Sequence, residues 1–99
     1  MNKPLKLTLK FKWYDLINSG IKLEEYRDIT PYYCSRITKY IEAIGRGETV
    51  YVTFYKAYAT NRPQMTFEIE SITENTGNPE WGAVPGTKYY CIRLGKRII

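Results

Sequence analysis

Ninety-nine residues, 43% hydrophobic and 25% charged, are what a single globular domain over residues 1–99 needs to bury a modest core. Fifteen Lys and Arg against ten Asp and Glu leave a formal charge of +5, which favours a polyanionic partner. The absence of histidine removes the commonest general base, the commonest metal ligand and every Ser–His or Cys–His nucleophile pair.

Cys34 and Cys91 form no C-x-x-C pair, so no zinc site is expected. Each reads as a small buried residue in a reducing compartment, although a disulfide between them stays open. No metal and no cofactor is expected. No apolar run approaches bilayer length, and the opening Met1-Asn2-Lys3-Pro4 has no signal-peptide apolar region, so the cytoplasm, without a membrane partner, is the default placement. Ten tyrosines and two tryptophans suit half-buried strand surfaces, and two or three of them are expected to face a ligand.

Taken in order, the chain begins with its clearest strand. From Leu5 to Trp13, Leu5, Leu7, Leu9, Phe11 and Trp13 alternate with Lys6, Thr8, Lys10 and Lys12, giving an apolar face and a basic face. Trp13, Leu16 and Ile17 then have helical spacing, and Asn18-Ser19-Gly20 stops the helix, since glycine takes the left-handed turn past a helix end at least cost. This helix is expected to close one end of a barrel and deliver Lys22 to its mouth.

The stretch Gly20-Ile21-Lys22-Leu23-Glu24-Glu25-Tyr26-Arg27-Asp28 reads as a strand, with Leu23, Glu25 and Arg27 on the inward face and Lys22, Glu24, Tyr26 and Asp28 on the other. A Glu and an Arg two apart on the face of a Leu imply a pair at the rim of a core or in a pocket. Thr30-Pro31 starts a second helix, with Thr as N-cap and Pro in the first turn, and Tyr33, Ile37, Tyr40, Ile41 and Ile44 carry its apolar stripe to Gly45-Arg46-Gly47. Strands follow over 48–58, with Val50, Val52 and Phe54 inward and Tyr51, Thr53 and Tyr55 outward, over 65–73 with Met65, Phe67 and Ile69 inward, and from Lys88 to Leu94. Turn signals at Thr76-Gly77-Asn78-Pro79 and Val84-Pro85-Gly86 flank Glu80-Trp81-Gly82. The order predicts an α+β, mostly β fold, a partly closed antiparallel or mixed barrel with two short helices.

Gly20, Lys22, Glu25 and Arg27 fit the G-x-K-x-x-E-x-R signature of ASCH domains, and Trp13 and Ile17 stand where that family has apolar residues. The chain therefore resembles an ASCH domain over its first third. The resemblance implies a PUA-like barrel that binds RNA, a nucleoside or a nucleotide in a basic cleft. Gly20, Lys22, Glu25 and Arg27 would bind the ligand, with Trp13 and Tyr26 (or Trp81) as stacking faces. In that site Arg can grip a phosphate or a base edge with two parallel hydrogen bonds, and Glu can accept from an exocyclic amine. Removing Arg27 or Lys22 is expected to weaken binding far more than removing Lys6 or Lys10, with the fold intact.

The family also implies an enzymatic alternative. A bacterial group that resembles this chain removes the acetyl group of N4-acetylcytidine with a Lys, a Thr and a downstream Glu. Lys22 matches the Lys, Glu25 stands at the Thr position, and the downstream Glu has no secure counterpart among Glu68, Glu70, Glu74 and Glu80. An amidohydrolase of this kind would use Lys22 as base and Glu25 as its partner. A protein-interaction domain is the third reading, and it expects an exposed apolar patch with no concave basic pocket. Oligomeric state is left open.

Overall fold

Alternation of Leu5, Leu7 and Leu9 with Lys6 and Thr8 makes β1 (Leu5–Leu9), with the leucines buried and the polar residues exposed. A computed structural model describes residues 3–99; Met1 and Asn2, part of the opening read above, lie outside the described residues. Five strands and two α-helices follow one another as β1, α1 (Phe11–Asn18), β2 (Glu24–Asp28), α2 (Pro31–Gly45), β3 (Tyr51–Lys56), β4 (Gln64–Thr76) and β5 (Lys88–Arg97), with a short 3-10 turn at Pro79–Trp81 before β5. The sheet runs β1-β3-β4-β5-β2 and curls into a half-barrel. β1 lies parallel to β3 and every other pairing is antiparallel, so the sheet is mixed. No helix among the described residues is long and apolar enough to cross a membrane.

The core fills the curl. Leu5, Leu7 and Leu9 of β1 meet Val52 and Phe54 of β3, Met65, Phe67 and Ile69 of β4, Ile92 of β5, and Ile37, Tyr40 and Ala43 of α2. Thr30 caps α2 through its hydroxyl, which accepts from the Tyr33 amide at 3.2 Å, and Pro31 opens the first turn where its missing N–H has no partner to lose. A smaller cluster of Ala83, Tyr89 and Cys91 with Tyr26 lies where the 77–83 segment covers β2 and β5.

Several expectations need correction. β1 ends at Leu9 rather than Trp13: the Tyr14 amide bonds back to the Lys10 carbonyl at 3.0 Å and the chain is already helical at Phe11. The leucine alternation runs into Phe11 and Trp13 by coincidence of period, and Phe11 is exposed instead of joining the core. β2 starts at Glu24, so the alternation does not reach back to Leu23, which is exposed. Thr53 is buried, hydrogen-bonded across the strands to Thr66 at 2.8 Å. β5 continues to Arg97, beyond Leu94, as the following Ile98 amide bonds to the Thr66 carbonyl at 2.8 Å. Both cysteines are free, and Cys34 is exposed on α2 rather than buried.

Candidate functional site

The free edges of β1 and β2 face one another across the opening of the half-barrel, and the site forms there. It begins at the end of α1. Gly20, at φ +81°, donates to the Ile17 carbonyl, and the Ile21 amide reaches the Leu16 carbonyl, both at 3.0 Å. These two bonds reverse the chain past the helix end, in a conformation that costs an L-residue with a Cβ more than it costs glycine. The reversal folds Lys22 back under Trp13. Its ammonium lies 4.5 Å from the centre of the indole system, 2.6 Å from the Trp81 carbonyl and 2.9 Å from Glu25 Oε1.

β2 then carries Glu25 and Arg27 on one face, as alternation requires. Glu25 Oε2 accepts from Arg27 Nη2 at 2.7 Å and from Nε at 3.0 Å. The other donors of the guanidinium leave β2 altogether: Nη2 reaches the Thr8 carbonyl on β1 and Nη1 the Tyr33 hydroxyl on α2, each at 3.0 Å. Arg27 therefore ties the two edge strands and α2 together. Lys22, Glu25 and Arg27 form a charge relay whose side chains are 2%, 7% and 15% exposed. Burial lowers the pKa of Lys22, against the pull of Glu25. Burial also opposes the charge on Arg27, but the Glu25 carboxylate and the Tyr33 hydroxyl outweigh it and raise the pKa.

On the opposite face, the Tyr26 hydroxyl donates to Glu24 Oε1 at 2.8 Å and accepts from the Asn78 amide at 2.9 Å. Burial pushes the Tyr26 phenol above its ordinary pKa. These bonds dock the 77–83 segment, which brings Gly82 against Trp13. A Cβ at Gly82 would stand 2.9 Å from Trp13 Cζ2, and the residue has φ +103°, so the indole keeps its place only against glycine.

A cavity of about 460 Å³ opens over this assembly. Trp13, Tyr26, Tyr33 and Tyr89 supply its flat walls, Glu25 and Arg27 its polar wall, and Lys10 and Asp28 its remaining charges. Two cations and two carboxylates line it, so it is charge-balanced and not the basic cleft the resemblance implied. Of the six expected ligand-binding residues, Trp13, Glu25, Tyr26 and Arg27 line the cavity. Gly20 and Lys22 do not. Gly20 makes the turn, and Lys22 sits buried behind Glu25, with two of its three donors on Trp81 and Glu25. Trp81 contributes a backbone carbonyl rather than a stacking face.

Lys22 and Arg27 both pair with Glu25, so their removal is expected to cost stability as well, where the sequence led to an expectation of an intact fold. None of Glu68, Glu70, Glu74 and Glu80 lines the cavity. The residues that sequence reasoning missed include Tyr33, hidden in the stripe of α2, Tyr89 on β5, and the Thr8 and Trp81 carbonyls, which no side-chain pattern encodes. Gly82 also lines the cavity, and the Gly after Trp81 in a turn-rich stretch was its signal. Compared with family models, curated proteins and solved structures, the chain matches none.

Proposed function

We propose that the protein binds RNA, or a nucleotide-like ligand, by seating an unpaired base in the cavity between the edges of β1 and β2. The observation that carries this reading is the cavity's combination of aromatic walls, balanced charge and one polar end. Its volume of about 460 Å³ lies in the range of small-molecule sites. A flat, uncharged, hydrogen-bonding group fits such a lining better than a phosphate does. Arg27 has five N–H groups and spends four in the bonds above, which leaves one Nη1–H for a ligand. Glu25 retains accepting capacity as well, so the polar wall of the cavity offers a base both a donor and an acceptor. The resemblance to ASCH domains and their PUA-like barrels supports the same reading through Glu25 and Arg27, the residues of that signature which line the cavity.

The amidohydrolase alternative draws on one observation, the desolvated Lys22 ammonium 2.9 Å from Glu25. Its reaction would add water across the acetyl C–N bond of N4-acetylcytidine, giving acetate and the free amine. Against it, Lys22 is buried and does not line the cavity. The protein-interaction reading expects no concave pocket, and the cavity counts against it.

Calorimetric titration with cytidine, adenosine and their monophosphates tests the proposal, with acetate release from N4-acetylcytidine followed in the same samples. The expected result is one site per chain whose nucleoside affinity changes little with salt, because the lining is charge-balanced. No binding of any nucleoside at millimolar concentration would refute it. Acetate release that disappears in a folded Lys22→Met variant would replace it with the enzymatic reading.

A further inference from the structure

The positive charge missing from the cavity lies beside it. A depression of about 230 Å³ shares Thr8, Arg27 and Tyr33 with the cavity and adds Lys6, Tyr32 and Arg36. A second, of about 500 Å³, shares Lys6 and Arg36 with the first and adds Lys3, Lys39 and Tyr40. The two continue the cavity as one groove between β1 and α2. No carboxylate lines either depression. Lys3, Lys6, Arg36 and Lys39 join no ion pair among the described residues, although Arg46, Lys56 and Arg93 elsewhere do.

The fold places these four cations along the two walls of the groove, Lys3 and Lys6 on the side of β1 and Arg36 and Lys39 on α2. Lys6 stands on the exposed face of β1, and Lys10, at the cavity, lies four residues on, about 13 Å along an extended chain. Arg36 and Lys39 are three apart on α2 and so share a face. The Tyr40 hydroxyl donates to the Lys3 carbonyl at 3.0 Å and pins the start of β1 to α2, which fixes the far end of the groove. Midway, the Arg36 guanidinium lies 3.6 Å from the centre of the Tyr32 ring, which is 57% exposed. This is a flat, cation-backed face open to solvent, of the kind on which unpaired bases stack.

We propose that this groove is a second binding surface, which holds the phosphodiester backbone of a single RNA strand as the strand runs from the cavity past Tyr32 and Arg36 towards Lys3 and Lys39. A groove lined by cations outside any ion pair, with no carboxylate among them, suits a polyanion, and the exposed Tyr32–Arg36 stack favours a strand whose bases are free over a duplex. The seat of a base in the cavity rests on the reading given above. The seat of the phosphates rests on the groove alone.

Fluorescence anisotropy with a labelled ten-nucleotide oligouridine RNA, read over a range of salt, tests the proposal beside calorimetry with uridine. Four neutralised phosphates at about 0.7 each give a slope of about −2.8 in log K against log salt. The triple variant Lys6→Ala, Arg36→Ala, Lys39→Ala removes only exposed side chains. It is expected to lose about tenfold or more in RNA affinity and most of the slope, and to keep uridine binding, while Lys96→Ala behaves as wild type. An unchanged affinity and slope in the triple variant, or a duplex of the same length binding as well as the single strand, would overturn it. Groove-dependent RNA binding without uridine binding would sink the cavity reading and leave the groove standing. Uridine binding with no gain for the ten-nucleotide strand would do the reverse.

Discussion

Glu25→Gln changes one oxygen to an amide nitrogen and alters almost no volume, yet it removes the anion between two buried cations. In the wild type, Glu25 Oε1 meets Lys22 at 2.9 Å and Oε2 meets Arg27 at 2.7 Å. Breaking a buried pair by taking away one partner costs about 3–5 kcal/mol, because the remaining charge loses its compensation where it is poorly solvated. Here two cations lose it at once, which argues for the full figure. Each, however, keeps neutral acceptors: Lys22 retains the Trp81 carbonyl, and Arg27 retains the Thr8 carbonyl and the Tyr33 hydroxyl. The lower end, about 3 kcal/mol, is therefore expected. For a domain of this size each kcal/mol moves Tm by about 4–8 °C, so the variant should melt about 12–24 °C below wild type. Urea denaturation gives the free energy directly, and a double-mutant cycle with Lys22→Met isolates the coupling. A loss under 1 kcal/mol would refute the reasoning, since it would mean that the relay is solvated in solution.

Two further outcomes follow from the same geometry. Gly82→Ala places a Cβ at φ +103° and 2.9 Å from the Trp13 ring; with about 1–2 kcal/mol for the left-handed backbone and about 1–3 kcal/mol for overpacking, urea unfolding should show a loss of about 2–5 kcal/mol, and an unchanged midpoint would exclude the close approach. Burial lowers the pKa of Lys22, so the unfolded chain holds that proton more firmly than the folded one. The sign is then fixed: between the lowered folded value and the unfolded value near 10.5, stability rises with pH. The difference in stability between wild type and Lys22→Met should accordingly grow in favour of wild type as pH is raised towards 10.5. Parallel curves would contradict the desolvation of Lys22.

The elements were legible wherever one period ruled. The leucines of β1, the Thr30-Pro31 start of α2 and the glycine stop of α1 each follow from local chemistry, and each stands where the residues put it. Boundaries failed where two periods overlapped. Leu9, Phe11 and Trp13 continue a strand alternation, but the backbone turns helical at Phe11, and only the tertiary placement of Trp13 against Gly82 explains why. The pair of Glu25 and Arg27 was legible from spacing. The position of Lys22 was not, since a turn and not a strand delivers it, so it meets Glu25 although alternation put the two on opposite faces. The partners that complete the relay are backbone carbonyls of Thr8 and Trp81, at sequence distances of 19 and 59 residues from Arg27 and Lys22. The basic face of β1 was legible from alternation, and Lys6 lines the groove; Arg36 and Lys39, which complete it, carried no motif, and the charge balance of the cavity showed only once β1 and β2 were brought together.

The most direct test of the central claim is a two-dimensional amide NMR titration of the isotope-labelled protein with cytidine. The account predicts saturable shifts confined to Thr8, Lys10, Tyr26, Arg27, Gly82 and the indole N–H of Trp13. Shifts scattered over the basic surface with those signals unmoved, or no shifts at saturating cytidine, would contradict the assignment of the cavity as a base site.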